Sequence, residues 1–306
     1  MIVSSCTKED PVVLESKVLV DHLESTIDPV SFMPAIITAP DLQAANALGQ
    51  VYIIDIRAEA DYNTAHIENA VNVAAGNILD HVQTADLSGY DKIAVVCYSG
   101  QSAAWAASLL RLQGVDNAFS LKFGMASWHQ DCAGSWDNNI SNMYYTQFET
   151  TANEKGEEGQ LPDLSTGYED AEIILDARVD AVLNEGFSAA AISASDVFAN
   201  PDNFYIVNYW PENYYNDPGH VPGAIQYTPK ESLTTDTNLK TLPADKTVVV
   251  YCYTGQTSAY MAGYLRVLGY DAKSLKFGAN GMIYDNMPTS QWQTPTSSYD
   301  VVSETK

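Results

Sequence analysis

Two cysteines, Cys97 and Cys252, stand where a sulfur nucleophile would be useful. In Lys92-Ile93-Ala94-Val95-Val96-Cys97-Tyr98-Ser99-Gly100-Gln101-Ser102 an apolar, strand-like run stops at the cysteine and a glycine-bearing loop follows. Ala103-Ala104-Trp105-Ala106-Ala107-Ser108-Leu109-Leu110 then reads as the opening of a helix. The first turn of a helix and a curled loop both offer unpaired backbone N–H groups, so a thiolate gains there. The Cys97 pKa is therefore expected to fall below its free value of about 8.5. Gly100 lets the loop close around the sulfur. The bland alternative for a lone strand-end cysteine is a small buried residue.

A second copy favours the chemical reading. Thr247-Val248-Val249-Val250-Tyr251-Cys252-Tyr253-Thr254-Gly255-Gln256-Thr257 repeats the pattern 155 residues on. Leu121-Lys122-Phe123-Gly124 returns as Leu275-Lys276-Phe277-Gly278, Leu110-Arg111 as Leu265-Arg266, and His66 as His220. Two units of one fold follow. In the first, Thr38 should cap a helix with Pro40 in its first turn, and strands should follow at Val51-Tyr52-Ile53-Ile54-Asp55 and at 117–121. Strands alternating with helices, too apolar for a sheet open to water, predict an α/β fold in each unit: a parallel sheet flanked by helices on both faces. Right-handed crossovers bring the strand C-termini, and Cys97 with them, to one edge. The boundaries expected are a tail and lead-in helix over 1–35, a first domain over 36–145, an acidic linker over 146–170, a second domain with its own lead-in helix over 171–292, and a loose, extended tail over 293–306. The aromatics between Trp136 and Phe148 should pack across the interface and fix the two units as a pseudo-twofold pair.

Composition narrows the function. The chain of 306 residues, 46% hydrophobic, can fill two ordinary cores. Its 39 acidic against 15 basic side chains give a net charge of −24, which argues against nucleic acid or an anionic membrane as partner. No apolar run is long enough for a transmembrane span. The cysteines at 6, 97, 132 and 252 form no C-x-x-C pair and have no histidines at ligand spacing, so neither a metal site nor a redox dithiol is supported. Sequence leaves a Cys97–Cys252 bridge open, but two separate cores would hold the pair beyond the Cα separation of about 7 Å that a disulfide tolerates. Cys132 has no counterpart in the second unit and receives no role. Ile2-Val3-Ser4-Ser5-Cys6-Thr7 resembles the cleavage end of a bacterial lipoprotein signal. On that reading Cys6 carries a lipid anchor and the protein sits in the bacterial cell envelope or periplasm; otherwise it is cytoplasmic and Cys6 is a tail thiol.

Taken in order, these motifs resemble the rhodanese-like domain, the sulfurtransferase family, twice over. The first unit matches with Asp55-Ile56-Arg57, His66-Ile67-Glu68-Asn69-Ala70 and the loop from Cys97 to Ser102; the second with His220-Val221-Pro222-Gly223-Ala224 and the loop from Cys252 to Thr257. The resemblance implies tandem rhodanese-like domains and makes Cys97 and Cys252 the catalytic candidates. The loops Tyr98, Ser99, Gly100, Gln101, Ser102 and Tyr253, Thr254, Gly255, Gln256, Thr257 would bind the anionic substrate, with Asp55, Arg57, His66 and His220 in structural support. Many family members end the loop in arginine; Ser102 and Thr257 stand there, so anion binding would rest on amides and hydroxyls. The second unit also replaces Asp-x-Arg by Asn208-Tyr209-Trp210.

The chemistry so implied needs no cofactor. A thiolate takes the outer sulfur of a small donor such as thiosulfate, becomes a persulfide, and passes the sulfur to a thiol or to cyanide. A cysteine phosphatase would need one more loop residue and an arginine, and both are absent. A different class of reading is a non-catalytic binding module, with Tyr205, Tyr209, Trp210, Tyr214 and Tyr215 as its face; burial habits favour a core role for these rings.

Overall fold

The computed structural model describes residues 14–31 and 33–304; Cys6 lies outside the described residues. The first half forms a parallel sheet of β1 (Ile36–Ile37), β2 (Val51–Asp55), β3 (Ala70–Asn72), β4 (Lys92–Val96) and β5 (Ala118–Leu121), in the order β1-β5-β4-β2-β3. The second repeats it with β6 (Ala191–Ile192), β7 (Tyr205–Asn208), β8 (Ile225–Gln226), β9 (Val248–Tyr251) and β10 (Ala272–Leu275), in the order β6-β10-β9-β7-β8. The central strands β4 and β9 are the Val-rich runs that end at Cys97 and Cys252, as full burial on both faces requires. Thr38 caps the helix Ala39–Ala47 by accepting from the Asp41 amide at 3.3 Å, and Ser193 does the same for Ala194–Ala199 from Asp196 at 3.2 Å.

The two units do not keep separate cores. In the helix Gln101–Leu112 every residue but Ser102 is buried, and a helix apolar on all sides must be covered on all sides. Its cover is the matching helix Gln256–Val267. The approach is close enough that a Cβ on Gly263 would lie 2.2 Å from Ser108 Oγ. One apolar cluster runs from Ile54 and Val95 of the first sheet through Trp105 and Tyr260 to Val207 and Val250 of the second. The outer faces remain distinct, around Ile53, Val96 and Trp128 in one half and Ile206, Val249 and Met282 in the other. The lead-in helices Glu15–Thr26 and Ala171–Glu185 pack on each other beside this shared layer. As the sequence suggested, Trp136 crosses the junction, with Phe123, Phe277 and Trp292 at 5.0, 5.1 and 5.7 Å between ring centroids.

The tail differs from expectation. It is extended but docked on the first unit, because its backbone finds partners there: Val302 and His66 exchange two N–H···O bonds of 2.9 Å, and the Tyr299 amide donates to Trp128 O at 2.9 Å. The linker does the equivalent for the second unit, where Glu149 and His220 exchange two bonds of 2.9 Å. The stretch after each unit thus straps the other. No helix among the described residues is long and apolar enough to cross a membrane.

Candidate active site

Cys97 follows β4 and lies on the floor of its loop, 2% exposed. Gly100 takes the left-handed φ of +84° that turns the chain into the next helix, and its amide donates to Cys97 Sγ at 3.1 Å. The Ala103 amide, in the helix's first turn, donates at 3.3 Å. The Ser102 hydroxyl also favours the thiolate of Cys97.

One electrostatic expectation fails. Burial pushes the Cys97 thiol above its ordinary value, although Ser102 and the amides of Ala103, Ser99 and Gly100 pull the other way. Desolvation wins, and at neutral pH the resting sulfur is a thiol.

Around this sulfur the first half builds a polar rim. Arg57 is held by Asp55 through Nε at 3.0 Å to both carboxylate oxygens and through Nη2 at 2.7 Å, and its Nη2 also donates to Ala65 O at 2.6 Å. The guanidinium lies 5.7 Å from the ring of Tyr98, whose hydroxyl donates to the Asp61 carboxylate. Tyr98 itself is 43% exposed, so the rim opens to water. Cys132 stands within electrostatic reach of Arg57 and is a free thiol, as are Cys97 and Cys252.

The second half keeps the loop and changes the rim. Cys252 Sγ accepts from the Ser258 amide at 3.4 Å, and its S–H faces Ser258 Oγ at 3.6 Å. Ser258 stands where the first loop has Ala103, and its hydroxyl pairs with Ser274 Oγ at 2.8 Å. Asn208 keeps the turn that Asp55 makes, accepting from the Trp210 amide at 3.2 Å as Asp55 accepts from Arg57 at 3.0 Å, but it brings no charge. Trp210 replaces the guanidinium and stacks on Tyr253 at 4.9 Å and 13°, with the edge of Tyr214 at 6.3 Å. Tyr209, Trp210 and Tyr215 are buried, which removes them from any exposed interaction face.

His66 and His220 take equivalent supporting places away from the sulfurs. Each ring stacks on a tyrosine, Tyr62 at 3.8 Å and Tyr215 at 3.6 Å, and Nδ1 bonds that tyrosine's carbonyl at 2.8 and 2.9 Å. Burial lowers the His220 pKa, holding it neutral.

Two features of the loops went unread in the sequence. The side chains of Gln101 and Gln256, assigned to anion binding, turn away from the sulfurs: Gln101 Oε1 accepts from Phe277 N at 2.7 Å and Gln256 Oε1 from Phe123 N at 2.9 Å, each in the opposite half. The recurring Leu-Lys-Phe-Gly motifs press against the floors of the loops. A Cβ on Gly124 would meet Cys97 O at 2.4 Å and Gly100 N at 2.6 Å, and one on Gly278 would meet Cys252 O at 2.2 Å. The signal was present, since a motif repeated this close to a repeated loop invites contact.

Two parallel sheets, each with a cysteine loop running into a helix N-terminus, define a tandem α/β domain built around buried sulfurs. Residues 38–131 and 162–283 both match the rhodanese-like domain, and the chain belongs to that family. It is similar to the thiosulfate sulfurtransferase GlpE of Shewanella oneidensis, with 38% identity over 80 residues, 26% of this chain and 77% of the relative. GlpE of Vibrio cholerae is 29% identical over 93 residues, 29% of this chain and 86% of that one. Among solved structures, a thiosulfate sulfurtransferase from Pseudomonas aeruginosa aligns with 92% of this chain and 49% of its own, at 18% identity and a TM-score of 0.32.

Proposed function

We propose that the protein is a sulfurtransferase that carries sulfane sulfur as a persulfide on Cys97. The observation that carries this reading is the pair of amides, from Gly100 and Ala103, aimed at a buried sulfur beside an open rim. Relatives named thiosulfate sulfurtransferases support thiosulfate as donor class. The Cys97 thiolate attacks the outer sulfur of thiosulfate; a Cys97 S–S bond forms, the donor's S–S bond breaks, and sulfite leaves with the electron pair. The amides hold the persulfide anion until cyanide or a thiolate attacks its outer sulfur and Cys97 leaves as thiolate.

The uncharged, aromatic surround of Cys252 favours a different part for the second unit: it completes the shared core and supports the first loop. Intact mass after incubation with thiosulfate, followed by thiocyanate formation on adding cyanide, tests the proposal. Gain of one sulfur atom on the peptide containing Cys97 is expected; a protein that gains none and makes no thiocyanate overturns it.

A further inference from the structure

The second loop reaches into the first site, and the contact is unequal. Gln256, fully buried, accepts from Phe123 N through Oε1 at 2.9 Å and donates through Nε2 to Gly100 O at 3.2 Å and Leu121 O at 3.3 Å. One side-chain amide thereby ties the Cys97 loop to the stretch that presses against its floor. Gln101 in the reverse direction makes only the Phe277 bond across the junction and turns its Nε2 back to Ser99 Oγ at 3.1 Å.

Gly100 is the residue that most needs such a tie. It supplies an amide to Cys97 Sγ at 3.1 Å from a left-handed conformation, and glycine has a wide choice of backbone angles. The fit is tight: a Cβ on Gly100 would lie 2.5 Å from Gln256 Nε2 and 2.8 Å from Leu121 O. The helix amide of Ala104 also donates to Gly100 O, at 3.0 Å, and the amides of Met125 and Ala126 hold Cys97 O and Tyr98 O at 2.8 and 3.2 Å, but of these only the Ala104 bond reaches Gly100, and it ties Gly100 to its own helix.

We propose that Gln256 is a positioning residue for Cys97, contributed by the second unit: it pins the carbonyl of the Gly100–Gln101 peptide, which limits rotation about the Gly100 backbone and so keeps the N–H on its other side aimed at the sulfur. This rests on the reading of Cys97 as the working cysteine, and it gives the second loop a task that does not require Cys252 to react. The effect should appear in the acidity of one thiol.

The test is the pH dependence of Cys97 alkylation by iodoacetamide, followed by peptide mass in the full chain. Gln256→Met keeps the volume and removes the amide; Gln256→Glu keeps the acceptor for Phe123 N and sets a second oxygen against Gly100 O and Leu121 O. In both, Cys97 is expected to react roughly threefold to tenfold more slowly at neutral pH, with the midpoint displaced upward, the size set by loss of about one hydrogen bond. Gln101→Met should displace the Cys252 profile by less, because nothing from Gln101 reaches the Gly255 carbonyl. Wild-type Cys97 profiles in both Gln256 variants would overturn the proposal, and if one variant does not fold, the other decides. Alkylation needs no sulfur donor, so a wild-type protein that takes no sulfur from thiosulfate would sink the functional reading and leave this comparison standing.

Discussion

The two cysteine loops share a backbone and differ in what surrounds them. Both follow a central strand, turn at a left-handed glycine and feed a buried helix, with Gly100 at φ +84° and Gly255 at +76°. Around the first, Asp55, Arg57, Asp61 and Tyr98 make a charged, open rim; at the matching positions of the second stand Asn208, Trp210, Tyr214 and Tyr253, an aromatic wall. The sulfur contacts differ too: Cys97 Sγ accepts from the Gly100 and Ala103 amides and its anion is favoured by the Ser102 hydroxyl, whereas Cys252 Sγ accepts from the Ser258 amide and turns its S–H to the Ser258 hydroxyl. The two halves share the backbone geometry of the loop, while the buried Asp55–Arg57 ion pair stands in one copy and an Asn–Trp pair in the other.

The largest effect should separate the two cysteines. Cys97→Ser is expected to lower thiocyanate formation on the order of a thousandfold, as removal of a nucleophile does, and Cys252→Ser to change it by no more than about twofold. Equal losses in the two variants would abolish the distinction drawn from the rims. Next comes the exchange of straps. Deleting residues 297–306 removes the Val302 and Tyr299 backbone pairings and the packing of Tyr299 and Val301 on the outer core of the first half. Chemical denaturation should show a loss of about 4–6 kcal/mol, at about 1 kcal/mol for each of these backbone bonds plus roughly 1–3 kcal/mol for the partial burial of Tyr299 and Val301. Amide exchange should place that loss in the first half, beside His66 and Trp128.

Much of this was legible in the sequence, for physical reasons. Strand runs, caps and the loop glycine are local features, and the repeat wrote each of them twice. The shared core was less apparent, although Ala103 to Leu112 has no polar face that could meet water, which already argues for cover on every side. The direction of the Cys97 shift could not be read, because amide donors are visible in a loop motif while the depth of the sulfur depends on how the halves close. The docked tail escaped because Asp300-Val301-Val302 is too short to signal a strand without the edge that it pairs with. Gln101 and Gln256 look like loop residues of a substrate site until the other half is placed beside them.

The acidity of Cys97 gives the next test. Burial holds its folded pKa above that of a free thiol, so at neutral pH the reactive thiolate is the minor form. Activity with thiosulfate should therefore climb with alkalinity, by about tenfold per pH unit, and level off only above the ordinary thiol range. A plateau already reached at neutral pH would show that the helix amides outweigh desolvation after all.

The smallest effect is also the most pointed, because it tries to give the second loop what it lacks. The triple change Asn208→Asp, Trp210→Arg, Tyr214→Asp transplants the first rim; the aspartate at 208 is needed because a buried guanidinium without a carboxylate would be costly. Mass mapping should then show sulfur uptake at Cys252 rising roughly threefold to tenfold, from the ring stack removed from the mouth and the guanidinium donors placed there. The gain stays modest because Ser258 still offers its hydroxyl to the thiol, and adding Ser258→Ala should raise it further. If uptake at Cys252 does not move in the folded variant, the rim is not what divides the two sites, and the second amide on Cys97 must account for the difference.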